Sequence, residues 1–402
     1  MIDQAGRADV LPLPPHGENL MKRRDWMAAA GTVAAAAALP GRSGAQGGSP
    51  RRRAGRPSDG LQTEIVRLQL RHTWTTTMSS SEYRDTLHVR LTRDGVTGVG
   101  EGAPIVRYHE NAVDAQKALE AARSVVLAAD PWRLETLLAE AFRLLEGQYA
   151  ARAALDIALH DWTGKKLGIP VYRLLGLDPA NAPLTTFSIG IDTEETTRQK
   201  VREAEEFPVL KVKVGLDTDE ATIEAVRSVT GKPLRVDANE GWKDKETAIR
   251  KVEWLASKGV ELVEQPMPAA MLEEAAWVRE RSPIPVFADE ACLRASSIPA
   301  LAGAYHGVNV KLDKAGGLRE AVRMVHAARA CGLKVMVGCM ISSSVSTTAA
   351  AHLSPLVDFA DIDGHLLVAN DPWEGVAVQD GRLLLPDRPG LGLRKRQAKA
   401  AG

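Results

Sequence analysis

From Leu184 onward, short apolar runs alternate with segments of helical periodicity. Eight such runs recur, with centres about 23 to 27 residues apart. The segments between them, such as residues 219–231, place apolar residues three and four positions apart, as amphipathic helices do. Strand–helix alternation at this spacing predicts an α/β protein with parallel β/α units, and eight strands predict a closed barrel.

The chain before the barrel has a different pattern. Residues 87–104 read as a hairpin with its turn at Asp94-Gly95, and the periodicity predicts helices over 112–128, 133–145 and 149–167. We therefore assign residues 62–180 to an α+β domain and residues 181–375 to the barrel. Residues 376–402 begin with a second hairpin pattern, and we expect this tail to return to the α+β domain.

The N-terminus resembles an exported precursor. Lys22, Arg23 and Arg24 precede an apolar run of 12 residues, Ala28 to Leu39, and a small-residue stretch that ends in Ala45. This arrangement resembles a twin-arginine export signal over residues 1–45, followed by a linker over 46–61. The run is too short to span a bilayer, so we expect a periplasmic protein without a membrane span.

Composition narrows the possible partners. The 402 residues include 51 Lys+Arg and 51 Asp+Glu, so the net charge is 51 − 51 = 0, and no basic surplus indicates nucleic-acid binding. The three cysteines lie in or beside apolar stretches, which predicts buried small side chains and no disulfide framework.

Acidic residues end three consecutive barrel strands. Asp237 lies in "VDAN", Glu264 in "VEQP" and Asp289 in "ADE", each where its apolar run ends. Catalytic residues of such barrels lie at the carboxyl ends of the strands, where three acids together are costly unless a cation neutralises them. Oxygen-only ligands favour Mg²⁺. Asn239 shares the face of Asp237 and is expected to support the ligands, whereas Glu290 points away as a pairing group.

Lysines occupy two strands on opposite sides of the predicted barrel. Lys211 and Lys213 share one face of the second strand in "VLKVKVG", and Lys311 lies on the sixth. An amine would therefore stand on each side of a substrate bound at the metal. Such a pair can remove and return a proton if burial and neighbouring positive charge lower a lysine pKa, and Lys211 would supply that charge to Lys213. We also expect Lys211 to contact the substrate. Lys314 lies beyond the strand and is predicted at the surface.

These motifs resemble the enolase superfamily, muconate-lactonizing-enzyme subgroup, over roughly residues 62 to 392. The marks are "KVK", "VDAN", "VEQP", "ADE" and "VKLDKAGG", together with residues 154–176. The resemblance implies a modified TIM barrel, (β/α)7β, with an N-terminal α+β capping domain that the C-terminal tail completes. It implies Lys213 and Lys311 as the acid/base pair and Asp237, Glu264 and Asp289 as Mg²⁺ ligands.

The eighth strand indicates which family within this subgroup the chain resembles. "FADIDGH" puts Asp361 and Asp363 on one face, across the mouth from the metal, with no lysine or arginine expected beside them. A substrate ammonium would fill that gap, and a dipeptide carries an ammonium and a carboxylate at its two ends. "DIDG" resembles the signature of the dipeptide epimerases, such as the Ala-Glu epimerases.

The capping-domain loop departs from the Ala-Glu pattern. The Ala-Glu epimerases carry an arginine there, but this chain has Met78 and serines up to Ser81, and we assign the flanking Arg71 and Arg84 to the strands. With Met78 and Ser81 lining the side-chain pocket, a neutral second residue is expected, because an unpaired buried carboxylate is costly.

The sequence thus predicts a Mg²⁺-dependent dipeptide epimerase that inverts the α-carbon of the C-terminal residue by two-base 1,1-proton transfer through an enolate. The alternatives are an N-acylamino-acid racemase or o-succinylbenzoate synthase of the same subgroup, and a periplasmic protein that binds peptides without turnover. A homo-oligomer is compatible with the sequence.

Overall fold

A computed structural model describes residues 59–397. The export signal assigned to residues 1–45 lies outside the described residues, as does the linker up to residue 58. None of the helices between residues 59 and 397 combines the length and the apolar character that a membrane span requires.

The α+β domain opens with a three-stranded antiparallel sheet and continues with helices. The predicted hairpin is present, and its turn at Asp94-Gly95 uses left-handed backbone at both residues (φ 49° and 74°). The first predicted helix breaks into two at Ala122. The elements are β1 (Gly60–Thr75), β2 (Ser80–Arg93), β3 (Val96–Gly102), α1 (Ala112–Ala121), α2 (Arg123–Ala128), α3 (Leu134–Leu144), α4 (Tyr149–Leu167) and α5 (Val171–Leu174).

Helix α4 lies directly on strand β3. The strand has glycine at every second position, and α4 has alanine at every fourth, so small residues face each other along the contact. A Cβ atom added at Gly98, Gly100 or Gly102 would lie 1.9–2.0 Å from a carbonyl oxygen of α4. The sequence of β3 thereby sets how closely helix α4 approaches the sheet.

The predicted barrel is confirmed. Eight parallel strands follow one another in chain order, and an isolated parallel bridge between Thr185 and Ala360 joins the two edge strands. The strands are β4 (Phe187–Ile189), β5 (Leu210–Lys213), β6 (Leu234–Asp237), β7 (Val260–Glu264), β8 (Val286–Ala288), β9 (Gly307–Lys311), β10 (Lys334–Gly338) and β11 (Phe359–Asp361). No helix follows the last strand before the tail, which gives the (β/α)7β arrangement.

Helices connect the barrel strands and cover the outside of the sheet. Their apolar faces pack against the barrel strands in one continuous core, and the α+β domain has a separate core. The helices are α6 (Glu194–Glu203), α7 (Asp219–Arg227), α8 (Lys245–Ser257), α9 (Leu272–Arg281), α10 (Ile298–Leu301), α11 (Leu312–Ala315), α12 (Leu318–Ala330) and α13 (Ser344–Leu353).

The tail makes two different contacts. Its hairpin, β13 (Ala377–Gln379) and β14 (Arg382–Leu384), lies at the entry to the barrel, where Thr185 N donates to Gly381 O (2.8 Å). Leu391 then donates its backbone N–H to Asp161 of α4 (2.8 Å). The segment after the hairpin, and not the hairpin itself, therefore reaches the α+β domain. Strands β12 (Trp373–Glu374) and β15 (Arg394–Lys395) pair beside it.

The prediction for the cysteines is only partly correct. Cys292 is buried in the barrel core, Cys339 is half-buried near the mouth, and Cys331 is exposed at the end of α12. Cys331 follows the last turn of an amphipathic helix, where the polar face had already begun, so its apolar neighbours in sequence did not indicate burial.

Candidate active site

Three acidic residues stand where neighbouring barrel strands end. Asp237 is the last residue of β6, Glu264 is the last of β7, and Asp289 follows β8. All three are buried, and one carboxylate oxygen from each lies within 4.8 Å of the others. The structure brings these residues together as the strand-end pattern predicts.

The carboxylates of this acidic triad differ in pKa. Burial raises the pKa of Glu264 to about 7, and the negative charge of Asp237 adds to the shift. Burial also acts to raise the pKa of Asp289, but Lys311 and Lys314 hold it well below its usual range. Three buried oxygen donors, one of them hard to ionise beside the other two, fit a hard divalent cation such as Mg²⁺.

The two lysines expected to act as acid and base flank the triad. Lys213 Nζ lies 2.6 Å from Asp237 Oδ2, and Lys311 Nζ lies 2.7 Å from Asp289 Oδ2. Their strands, β5 and β9, are four positions apart in the eight-stranded barrel. Both side chains line the same cavity, of about 710 Å³. An amine therefore stands on each side of whatever binds at the triad.

The expected lowering of a lysine pKa does not hold for Lys311. Burial acts to lower it, but the carboxylates of Asp289 and Glu264 outweigh burial and raise the pKa. Neutralising those carboxylates would leave burial as the dominant influence. Burial and positive neighbours alone would have lowered this pKa, but the barrel places acids beside the Lys311 amine.

Lys211 occupies a different position from the one predicted. Its Nζ lies 2.7 Å from both Asp361 Oδ2 and Glu264 Oε2, and 3.2 Å from Asp237 Oδ2. It is 1% exposed and does not line the cavity, so the structure does not place it against a substrate. These three carboxylates raise its pKa well above the usual value despite its burial. Lys211 therefore links the carboxylates of Asp237, Glu264 and Asp361 at the base of the site.

The aspartates of the eighth strand also differ from expectation. Asp361 is not without a cation, because it binds Lys211 Nζ and accepts from Thr186 Oγ1 (2.5 Å). Asp363 accepts from the backbone N–H of Ser188 (2.6 Å). Both line the cavity. The strand pattern located these aspartates correctly, but it could not show that Lys211 crosses the barrel floor to reach Asp361.

The pKa values of Asp361 and Asp363 also differ. The pKa of Asp361 falls to about 2, because Lys211 outweighs the effect of burial. Burial raises the pKa of Asp363 to about 6, and the charge of Asp361 adds to this. Of these two aspartates, Asp363 is therefore the one that a further cation would stabilise more.

Asn239 and Glu290 lie at the mouth of the cavity. The backbone N–H of Asn239 donates to Asp237 Oδ1 (3.0 Å), and its side-chain amide donates to Glu290 Oε1 (3.0 Å). Glu290 is a pairing group, but the expectation that it points away is wrong, because its side chain also lines the cavity. The strand has already ended at Ala288, so alternation no longer fixes the direction of Glu290.

Three further residues support the triad, and the sequence analysis did not identify them. Asn309 donates to Glu264 Oε1 (2.8 Å), and Gln265 accepts from Asp289 N (2.9 Å). Lys314 is fully buried, and its Nζ contacts the carboxylate and the carbonyl of Asp289, so its predicted surface position is wrong. Asn309 shares the face of Lys311 by strand alternation, which was a usable signal. Lys314 lies on the short helix α11, whose direction the sequence did not indicate.

The capping-domain loop forms the outer wall. Met78 and Ser81 line the cavity, as predicted from their place in the loop. Arg107 also lines it, but its guanidinium binds both carboxylate oxygens of Glu240 (2.7 and 3.0 Å). This ion pair ties the turn after β3 to the loop after β6 above the site.

Both flanking arginines lie on strands, as predicted, but one of them also reaches the cavity. Arg71 donates to Leu366 O (2.8 Å) and does not line the cavity, whereas Arg84 does line it. One face of β2 turns toward the barrel, and Arg84 lies on that face. The premise for a neutral pocket therefore fails.

The fold and the site agree with known proteins. The family description "Mandelate racemase / muconate lactonizing enzyme, N-terminal domain" matches residues 62–176, and "Enolase C-terminal domain-like" matches residues 194–399. The L-Ala-D/L-Glu epimerase of Bacteroides thetaiotaomicron is 45% identical over 329 residues, which are 82% of this chain and 86% of that protein. The L-Ala-D/L-amino acid epimerase of Pedosphaera parvula is 44% identical, over 82% of this chain and 97% of its own.

A solved structure gives the same result. The dipeptide epimerase of Enterococcus faecalis, complexed with Mg and the dipeptide L-Leu-L-Tyr, superposes with a TM-score of 0.79 at 30% identity, covering 83% of this chain and 99% of that one. The closed barrel, the acidic triad and the opposed lysines are the architecture of the enolase superfamily. The chain belongs to this superfamily and, within it, to the dipeptide epimerase family.

Proposed function

We propose that the protein is a Mg²⁺-dependent isomerase that epimerises dipeptides at the α-carbon of the C-terminal residue. The observation that carries the proposal is the placement of Lys213 and Lys311. Each is bound to a different carboxylate of the triad, and both open onto one cavity from opposite sides.

Asp237, Glu264 and Asp289 would hold the ion. When bound, Mg²⁺ supplies positive charge that stabilises the negative charge developing on the substrate carboxylate as the α-proton leaves. The burial of all three ligands supports this role, because buried charge acts more strongly where water is excluded.

Lys213 and Lys311 would exchange the proton. One lysine, as the neutral amine, accepts the α-proton on its side of the substrate and becomes an ammonium. The other, as the ammonium, donates a proton to the opposite face of the same carbon, which inverts the configuration. In the reverse direction the two lysines exchange roles, so the pair needs no other acid or base.

Asp363 would bind the substrate ammonium. Its carboxylate lies in the cavity, where burial and the negative charge of Asp361 raise its pKa to about 6. Asp361 already pairs with Lys211, so it would contribute its charge and keep Asp363 in place. This arrangement favours a substrate with a free ammonium over N-acylated amino acids and over o-succinylbenzoate precursors, which lack one.

The proposal can be tested with a dipeptide library incubated with the protein and Mg²⁺ in D₂O and analysed by mass spectrometry. We expect one deuterium to enter the C-terminal residue of those dipeptides that are substrates, and both epimers to form. N-Acetylated dipeptides and N-acetyl amino acids should react about 10² to 10⁴ times more slowly, because the charge-assisted hydrogen bonds to Asp363 are lost.

Two other outcomes would replace the proposal. Equal reaction of N-acetyl amino acids would make the protein a racemase of acylated amino acids. Binding of dipeptides without any deuterium uptake would make it a peptide-binding protein.

The protein would act in the periplasm. Arg23 and Arg24 before a 12-residue apolar run support export through a twin-arginine-type route. Short peptides with a free ammonium and carboxylate would be its substrates there.

A further inference from the structure

The loop after β6 has an unfavourable backbone conformation beside the metal site. Asn239 and Glu240 are consecutive residues with positive φ (40° and 62°). Asparagine tolerates this left-handed conformation, but glutamate is strained in it, because its Cβ atom crowds the following carbonyl oxygen. Such a conformation persists only where surrounding contacts hold it. The two residues lie two and three positions after Asp237, the acid that ends β6.

The capping domain supplies contacts that hold this loop. Arg107, in the turn after β3, binds both carboxylate oxygens of Glu240 (2.7 and 3.0 Å). Thr77, between β1 and β2, donates its hydroxyl to the carbonyl of Asn239 (2.6 Å). From the barrel, the backbone N–H of Ala269 also donates to Glu240 (2.7 Å). Two separate segments of the capping domain therefore contact the same two residues of the barrel.

The loop in turn directs a metal ligand. The backbone N–H of Asn239 donates to Asp237 Oδ1 (3.0 Å), while Lys213 Nζ contacts the other oxygen, Oδ2 (2.6 Å). A relaxed backbone at residues 239–240 would turn this N–H away and leave Oδ1 without its donor. A chain of hydrogen bonds thus runs from Arg107 and Thr77 through the strained loop to Asp237.

Resting on the assignment of Mg²⁺ to the triad in the proposed function, we infer that Arg107 and Thr77 are positioning residues for the metal site. Their contacts with the loop after β6 hold Asp237 in the geometry that binds the ion. Because coupling between two sites is reciprocal, bound Mg²⁺ also stabilises the contact of these capping segments with the barrel. The capping domain is then held most firmly over the cavity when the ion is bound.

The test measures the Kd of Mg²⁺ alone by isothermal titration calorimetry. We expect Arg107→Gln to weaken Mg²⁺ binding about 3- to 30-fold, less than the roughly 10- to 100-fold effect of residues that hydrogen-bond a metal ligand directly. Charge alone predicts tighter binding, because the substitution removes a positive charge from the cavity wall. The matched control is Arg67→Gln, which removes an arginine that binds Asp85 with two hydrogen bonds and does not line the cavity.

Substitutions of Glu240 separate backbone strain from charge. Glu240→Ala and Glu240→Gly both remove the ion pair, but glycine adopts the left-handed conformation without strain. We expect the alanine variant to bind Mg²⁺ more weakly and the glycine variant to bind it about as the wild type does. Arg107→Gln should have no further effect in the Glu240→Gly protein, because nothing is left for Arg107 to hold. Equal loss of affinity in the two Glu240 variants would overturn the inference.

A measurement on the wild type decides the matter even if the variants do not fold. Mg²⁺ should slow amide hydrogen exchange in residues 104–110, the segment that carries Arg107, and leave exchange in α3 unchanged. Unchanged exchange in residues 104–110, or an unchanged Kd in Arg107→Gln, would overturn the inference while the metal assignment stands. If the wild type binds no Mg²⁺, the metal assignment of the proposed function fails, and the inference fails with it.

Discussion

Each carboxylate of the triad is held by residues around it. Lys314 Nζ contacts the carboxylate of Asp289, Asn309 donates to one oxygen of Glu264, and the backbone N–H of Asn239 donates to Asp237. The ligands are therefore positioned before an ion arrives, which lowers the cost of binding it. Glu264 is the member whose charge is hardest to maintain without a cation, since its pKa rises to about 7.

We expect Glu264→Gln to remove most of the stabilisation that Mg²⁺ gives. In the wild type, adding Mg²⁺ should raise Tm as the ion concentration exceeds its Kd, because an ion that binds the folded state alone stabilises it. The variant should show little shift and little activity. Glu261→Gln is the matched control, since Glu261 lies on the same strand with a side chain that is 46% exposed. An equal shift in Glu264→Gln, or full wild-type activity after chelation, would contradict the metal assignment.

We expect Asp363 to give the activity a specific pH dependence. Its pKa of about 6 is raised above the usual value, so the carboxylate that binds the ammonium is present above pH 6 and is lost as the pH falls through it. The ratio of kcat/KM between wild type and Asp363→Asn should therefore fall towards one below pH 6, because the wild-type group is then also neutral. The ratio removes any pH dependence that the two proteins share. A ratio that stays constant from pH 5 to 8 would contradict the role of Asp363.

At the scale of elements, the contact between β3 and α4 positions the capping domain. Helix α4 bears Asp156, which accepts from Leu318 N at the start of α12 (2.6 Å), and Asp161, which binds the tail at Leu391. Strand β3 bears Glu101, which accepts from Ser343 N and Ser343 Oγ (2.9 and 2.6 Å). Buried carboxylates thus join this strand and this helix to the barrel.

Because α4 approaches β3 so closely, Gly100→Ala should disturb this arrangement. Its added Cβ would lie 2.0 Å from Ala154 O, which is backbone and cannot turn away. Overpacking of this kind costs about 1–3 kcal/mol, so Tm should fall by roughly 2–10 °C. Gly231→Ala is the control, because no atom lies within 4 Å of its added Cβ. An unchanged Tm in Gly100→Ala would show that the helix shifts without cost.

At the scale of the whole molecule, periodicity was sufficient to predict the eight-stranded barrel. The eight apolar runs and their strand ends predicted which acids and lysines would converge, because parallel strands of a barrel open at one end. Alternation was reliable only inside the strands. It failed for Glu290, which lies just past the end of β8. Lys314 was predicted at the surface only because it lies beyond a strand, and the short helix α11 instead buries it.

Contacts between distant parts of the chain could not be predicted in the same way. The pairing of Lys211 with Asp361 joins residues 150 positions apart across the barrel floor. The exposure of Arg84 to the cavity depends on how the capping sheet sits on the barrel mouth. Neither the spacing of residues nor their type contains that information, so the sequence assigned Lys211 to the substrate and placed Arg84 away from it.

The N-terminal segment belongs to this scale as well, because it would decide where the molecule acts. We expect replacement of Arg23 and Arg24 by lysine to leave uncleaved protein in the cytoplasm, since the arginine pair is the feature that a twin-arginine-type route would recognise. Fractionation of cells followed by detection of the two forms measures this. Replacing Arg51 and Arg52, which lie in the predicted linker, is the matched control. Unchanged periplasmic yield of the Arg23 and Arg24 variant would contradict export by this route.

The central claim is that Lys213 and Lys311 exchange a proton with opposite faces of one carbon. The most direct test follows α-proton exchange in D₂O for Lys213→Ala and Lys311→Ala with each epimer of a substrate dipeptide, by NMR. We expect neither variant to interconvert the epimers. Each should still exchange the α-proton of one epimer, and the two variants should retain opposite epimers, because each keeps the base on one side. A variant that interconverts both epimers near the wild-type rate would contradict the two-base account.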